Sequence, residues 1–200
     1  MESLVPLSVK TCGKVMLIIG PMFSGKTTEL MRRIRRQKRA ARACALFRPK
    51  KDTRYDDTNK LLVSHDGSSE PCTQACESLT TDTAVPDGTK FVGIDEAHLF
   101  SGEESVREAV QLWSSRGMDV CVVSLSGDSN QTCFKVVADL IPLADEICHL
   151  TAICERCGDE ATMTLKTGGS AACRKEVGGK HMYEPVCATC LTSASHTNVT

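Results

Sequence analysis

KVMLIIGPMFSGKTTELMRR, residues 14–33, decides the fold. Residues 14–20 are a short apolar run stopped by Gly20, the pattern of a strand buried on both faces. Residues 20–27, GPMFSGKT, satisfy G-x-x-x-x-G-K-[ST], and Leu30, Met31 and Ile34 then recur at helical spacing in a basic stretch running to residue 42. A glycine-rich turn between a strand and a helix faces successive backbone N–H groups toward a phosphate, and the helix N-terminus adds partial positive charge. In this reading Gly20, Pro21, Met22, Phe23, Ser24 and Gly25 form the cradle. Lys26 supplies a mobile cation for the β- and γ-phosphates, and Thr27 offers a hydroxyl to Mg²⁺.

The partner of such a loop is a strand that delivers a carboxylate. Residues 90–95, KFVGID, end an apolar run on Asp95, the position of a Mg²⁺-binding acid at the carboxyl end of an open α/β sheet. Glu96 follows and is free to act as a base. The full stretch, GIDEAHLF at 93–100, spells the D-E-A-H of a helicase class. A helicase core needs two nucleotide-binding units, and 200 residues hold one unit with a small appendage. His98 reads more simply as a solvated or structural histidine.

Further strands are expected at 43–48, 118–125 and 146–150, with helices at 103–115 and 135–141. Residues 49–70, rich in Lys, Asp, Thr, Asn, Ser and Gly, read as a long mobile loop. Alternation of strands and helices predicts an α/β fold: a P-loop, RecA-like parallel sheet with helices on both faces. The character changes near residue 151, giving an expected nucleotide-binding domain at 1–150, a small domain at 151–192 and a disordered tail at 193–200.

Composition narrows the partners. Hydrophobic residues make up 41% and the net charge is -1, so no global field draws the chain to nucleic acid or anionic lipid. No apolar run approaches the ~20 residues of a membrane span. MESLVPLSVK lacks the basic and apolar regions of a secretory signal. A cytoplasmic protein with no membrane association is therefore expected, and the Asn198-Val-Thr sequon carries no weight in it. The helix carries Arg32, Arg33, Arg35, Arg36, Lys38, Arg39 and Arg42, but no aromatics interleave to stack bases. A solvated face or a subunit contact is favoured over stable nucleic-acid binding.

Of the 12 cysteines, eight show no metal-like pairing and read as reduced, small apolar residues. The other four form two C-x-x-C knuckles, Cys154/Cys157 and Cys187/Cys190, with 29 residues between them. Two knuckles complete a tetrahedral Cys₄ set with no open position, which is a structural Zn²⁺ site. The zinc would fold a segment that lacks its own core.

Together these residues resemble the type II thymidine kinases, which pair a P-loop domain with a zinc-bearing lasso domain. The markers are GPMFSGKTTELMRR (20–33), KDTRYDD (51–57), SHD (64–66), IDE (94–96), IPLAD (141–145), LTAICERC (150–157) and GGKHMYEPVC (178–187). The resemblance implies ATP-dependent phosphorylation of the 5′-hydroxyl of thymidine, with Mg²⁺ bound alongside ATP. By position, Glu96 would be the base, and Asp52 and Arg54 would join Lys26, Thr27 and Asp95 on the phosphate side. Met22, Leu99, Ser129 and Phe134 would line the base pocket. The lasso would close over it through main-chain groups at Thr164 and near Val177 and Gly178, with Tyr183 touching the nucleoside. Feedback inhibition by dTTP and a homo-oligomer, tetramer or dimer, are also implied.

The chain departs from the family pattern in two places. D-E-G-Q-F-F becomes D-E-A-H-L-F, so the helicase letters are a variant of a kinase motif. Residues 125–134 read LSGDSNQTCF where L-D-G-x-F-x-R-x-P-F is usual. These changes leave two other readings open: a weakened regulatory paralogue that binds thymidine nucleotides, and a nucleic-acid-dependent ATPase with a zinc finger.

Overall fold

The computed structural model describes residues 12–53, 58, 60–168 and 175–196. Six parallel strands form the central sheet. They are β1 (Val15–Gly20), β2 (Cys44–Pro49), β5 (Gln74–Cys76), β6 (Phe91–Ile94), β7 (Asp119–Leu125) and β8 (Glu146–His149), in the order β5-β2-β6-β7-β1-β8. Both faces are covered, which is why these strands read as continuous apolar runs. Along β7, Cys121 and Val123 pack under α1 (Lys26–Arg39) with Leu30, Met31 and Ile34. Val120 and Val122 face the opposite side, where α2 (Glu103–Ser115) and α3 (Lys135–Leu140) bury Val106, Val110, Trp113, Val136 and Val137. Trp113 stacks on Phe47 of β2 with ring centroids 5.3 Å apart. Gly93 belongs to the α1 face of β6: a Cβ there would lie 3.1–3.2 Å from Leu46, Ile34 and Leu30.

Helix α1 ends at Arg39, three residues before the expected boundary, because the chain reverses at Ala41 (φ 55). The expected long loop at 49–70 is corrected more substantially. It contains β3 (Leu61–Val63) and β4 (Ser69–Pro71), an antiparallel hairpin, and β5 follows immediately. Leu62 of the hairpin is buried against the α1 cluster, and Glu70 binds Arg35 at 2.6 Å and Lys38 at 2.7 Å. Three more of the seven basic side chains are tied to acids: Arg32 and Arg33 to Glu29, Arg33 to Glu146, and Arg42 to Asp119. Much of the basic helix is thus an ion-paired face.

Burial pushes Glu70 up, but the bonds from Lys38 and Arg35 outweigh it and hold the carboxyl below its ordinary 4.5. This stabilisation is present above that value and is lost as pH falls through the lowered folded value. After discounting for the half-exposed cations, we expect Glu70→Gln to cost ~1 kcal/mol at neutral pH. The deficit should shrink below pH 4.5. Denaturant titrations of both proteins at pH 7 and 3.5 check this; a deficit equal at both pH values contradicts it.

Beyond the sheet, β9 (Ala152–Ile153) pairs with β10 (Glu160–Ala161), and β11 (Met163–Lys166) pairs with β12 (Tyr183–Val186), both antiparallel. Helix α4 (Ala188–His196) closes the described chain and runs four residues into the expected tail. Buried Ala152, Cys154, Ala161 and Val186 form the centre of the small core here. No helix among the described residues is long and apolar enough to cross a membrane.

Candidate active site

The carboxyl ends of β1, β6 and β7 lie side by side, since Gly20 pairs with Leu125 and Ile94 with Val122. The phosphate loop leaves β1 here. Gly25 enters α1 at φ 79, a conformation that favours glycine. At Gly20 a Cβ would fall 2.3 Å from the Leu150 carbonyl oxygen. Ser24 Oγ donates to the Pro21 carbonyl at 2.9 Å. The buried Lys26 ammonium donates to the same carbonyl and lies 3.3 Å from Ser24 Oγ. Thr27 Oγ1 lies 3.3 and 3.2 Å from the two oxygens of Asp95. A hydroxyl and a buried carboxylate so placed are the oxygen donors a hard divalent cation takes.

A cleft of about 390 Å³ opens over this loop. Met22, Phe23, Gly25, Lys26, Thr27 and Asp95 line it, as does Asp52. Arg54 lies outside the described residues. The hairpin tip contributes His65 and Asp66, a role that the sequence reading did not give to the SHD stretch. His65 meets the Phe23 ring edge-on with centroids 5.3 Å apart.

A second, narrower cavity adjoins it, about 40 Å³ on the same measure. Its walls bring together every expected base-pocket residue: Met22, Leu99, Ser129, Phe134, Thr164, Val177, Gly178 and Tyr183. Met22, Leu125 and Glu96 line both cavities. Glu96 is therefore at the junction, 9% exposed, and its backbone is left-handed at φ 47. A non-glycine residue held there costs ~1–3 kcal/mol, strain of the kind that accumulates at functional sites.

The lasso strands are fastened to the phosphate loop and to the helices. Thr164 Oγ1 of β11 accepts the Met22 N–H at 3.0 Å, so this side chain ties a wall of the narrower cavity to the phosphate loop. Tyr183 donates its hydroxyl to the Glu176 carbonyl at 2.8 Å, and Lys166 pairs with the Glu176 carboxylate at 2.6 Å. Lys175 pairs with Glu103 at the start of α2, and the second Glu103 oxygen accepts the Val136 N–H of α3 at 2.7 Å. Sequence reasoning missed Asp128, which is buried, lines the second cavity and accepts the N–H groups of Asn130 and Thr132 at 2.9 Å. An acid just beyond the end of β7 was the available signal.

Cys154, Cys157, Cys187 and Cys190 converge, their Sγ atoms all within 4.8 Å of one another. Cys157 and Cys187 are 3.6 Å apart. Tetrahedral zinc with Zn–S bonds of ~2.3 Å sets sulfurs ~3.8 Å apart, so the donor set fits. Burial raises the Cys154 thiol, but N–H groups of Cys187, Arg156 and Cys157 outweigh that and bring it down to about 6, toward the thiolate a metal binds. Within the cluster the proton is shared: hydrogen bonds from Cys157 and Cys187 push Cys190 up to about 12, and Cys157 is raised because the Asp159 N–H is outweighed by the Cys154 and Cys187 thiols. Outside it, burial pushes Cys72 to about 11 and Cys121 to about 12, as expected of inert packing thiols.

A protein-family model described as thymidine kinase matches residues 13–191. The cytosolic thymidine kinase of Cricetulus griseus is 37% identical over 190 residues, covering 93% of this chain and 76% of its own length. The cytosolic thymidine kinase of Homo sapiens is 36% identical over 182 residues, covering 90% and 74%. The thymidine kinase of Choristoneura fumiferana entomopoxvirus is 34% identical over 184 residues, covering 91% and 98%.

Proposed function

Because the chain belongs to the thymidine kinase family, we propose that its two joined cavities hold ATP and thymidine end to end and that it makes dTMP. The observation that carries this reading is the position of Glu96, which lines both cavities where they meet. Thymidine lies in the narrower cavity, with its 5′-oxygen toward Glu96. The triphosphate lies along residues 20–27, with Lys26 beside the β- and γ-phosphates and Asp52 on the same side. Thr27 and Asp95 would hold Mg²⁺, whose charge offsets that developing on the phosphates. The 5′-oxygen forms a bond to the γ-phosphorus, the bond to the β-phosphate oxygen breaks, ADP leaves and Glu96 takes the hydroxyl proton. The lasso excludes water that would otherwise receive the phosphoryl group.

Residues 151–192 would form a lid unit on the P-loop unit of 1–150, with Cys154, Cys157, Cys187 and Cys190 holding a structural Zn²⁺. dTTP would inhibit by placing its thymine in the narrow cavity and its phosphates in the cleft. The protein would act in the cytoplasm as a homo-oligomer, tetramer or dimer.

A coupled ATP assay compares thymidine, deoxycytidine, deoxyguanosine and no acceptor. ATP use tied to thymidine is expected. ATP use tied to another nucleoside would assign the altered 125–134 turn a different specificity, and use independent of any acceptor would overturn the reading. The lid contact gives a second test. Glu103→Gln keeps an acceptor for Val136 but loses the charge facing Lys175, so thymidine KM should rise ~5-fold with kcat nearly unchanged. An unchanged KM removes this ion pair from lid closure.

A further inference from the structure

His98 takes no part in the transfer just described, yet it is 3% exposed and lines the nucleoside cavity beside Glu96. Its ring is held from two directions. One face packs on Phe134 with centroids 4.6 Å apart. Its Nδ1 faces the end of β7, 3.4 Å from the Leu125 backbone nitrogen and 3.3 Å from Ser124 Oγ. A backbone N–H can only donate, so Nδ1 presents its lone pair and the neutral ring carries its hydrogen on Nε2. That Nε2 is 3.6 Å from Glu96 Oε2. The left-handed backbone at Glu96, followed by the 3₁₀ turn Ala97–Leu99, brings the two side chains together.

We infer that His98 is a positioning residue for Glu96: its Nε2–H faces the carboxylate and orients it toward the acceptor hydroxyl. The inference rests on Glu96 being the base. The gap of 3.6 Å exceeds a hydrogen bond. Attraction acts across it, and catalytic contacts of this kind tighten when substrate is seated. The charged groups on the elements packed against the 3₁₀ turn have other contacts. Arg48 of β2 binds the Leu61 and Asp52 carbonyls, Glu103 of α2 binds Lys175, and Lys135 of α3 binds Asp139. On the cavity side, Lys26, Asp95, Asp128, Lys175 and Glu176 share walls with Glu96 and are unchanged in the variants below.

The test compares His98→Leu, which keeps bulk against Phe134 but has no donor, with His98→Gln, which keeps a donor. For His98→Leu, kcat should fall ~10-fold while thymidine KM stays within ~3-fold. His98→Gln should restore most of the turnover. Equal losses of turnover in both variants, following Tm alone, would mean packing only and would overturn the inference. Should His98→Leu not fold, His98→Met carries the same comparison. Glu96→Gln separates the two levels. Near-normal turnover in it overturns the base assignment and this inference with it. A slow Glu96→Gln with near-normal turnover in His98→Leu overturns the positioning role alone.

Discussion

Glu96→Gln should lower kcat by at least ~10² while leaving the KM for ATP and thymidine near normal. The amide has the size of the carboxylate, so the cavity junction and the left-handed backbone are preserved and only proton acceptance is lost. Loss of kcat without change in KM marks an interaction made in the transition state. Steady-state kinetics with both substrates varied, together with a Tm measurement, checks this. Near-normal turnover would remove Glu96 from the base role and leave the junction geometry without a chemical purpose. A rise in KM with kcat preserved would make Glu96 a binding group instead.

Removing the proposed zinc from the cysteine cluster should abolish turnover while leaving most of the α/β sheet folded. The reason is the size of the local core, centred on Ala152, Cys154, Ala161 and Val186. Such a segment would draw its folding energy from the proposed zinc, apparent binding energies of ~10–16 kcal/mol being typical of structural sites. Without it, β9–β12 lose their anchor, and so does Thr164, which bonds the phosphate loop at Met22. Chelation or Cys187→Ser should expose residues 151–192 to protease, release one zinc per chain and cut kcat by more than ~10². Far-UV dichroism should change little. Metal-free protein with full activity and an intact lasso would contradict this account.

Element types in the central sheet were legible because burial on both faces writes apolar runs, and glycine and proline punctuate them. The β3–β4 hairpin was not. Its strands have three residues each, too short for any periodicity, and its anchor is Glu70 binding side chains of α1 far away in sequence. The phosphate loop, Asp95 and the cysteine knuckles were legible because their chemistry imposes local spacing. The base-pocket residues came only through family resemblance, since they gather from the phosphate loop, the ends of β6 and β7, and the lasso. Glu96 was visible as a residue type, but its φ of 47 and its place between two cavities arise from the assembled sheet edge. His98 shows the limit most clearly. Read as a solvated or structural histidine, it is buried against Phe134, with its Nε2 directed toward Glu96.

The most direct test of the central claim, that one continuous site spans both cavities through Glu96, is a binding measurement with a single compound joining thymidine O5′ to adenosine through a chain of phosphates. Linking two ligands that occupy adjoining subsites makes the second binding event intramolecular, so Kd should be at least ~10² below that of ATP or thymidine alone. One compound should bind per chain, and both ATP and thymidine should compete with it. A linked compound that binds no tighter than ATP, or that ATP displaces and thymidine does not, would mean that the two cavities are separate sites.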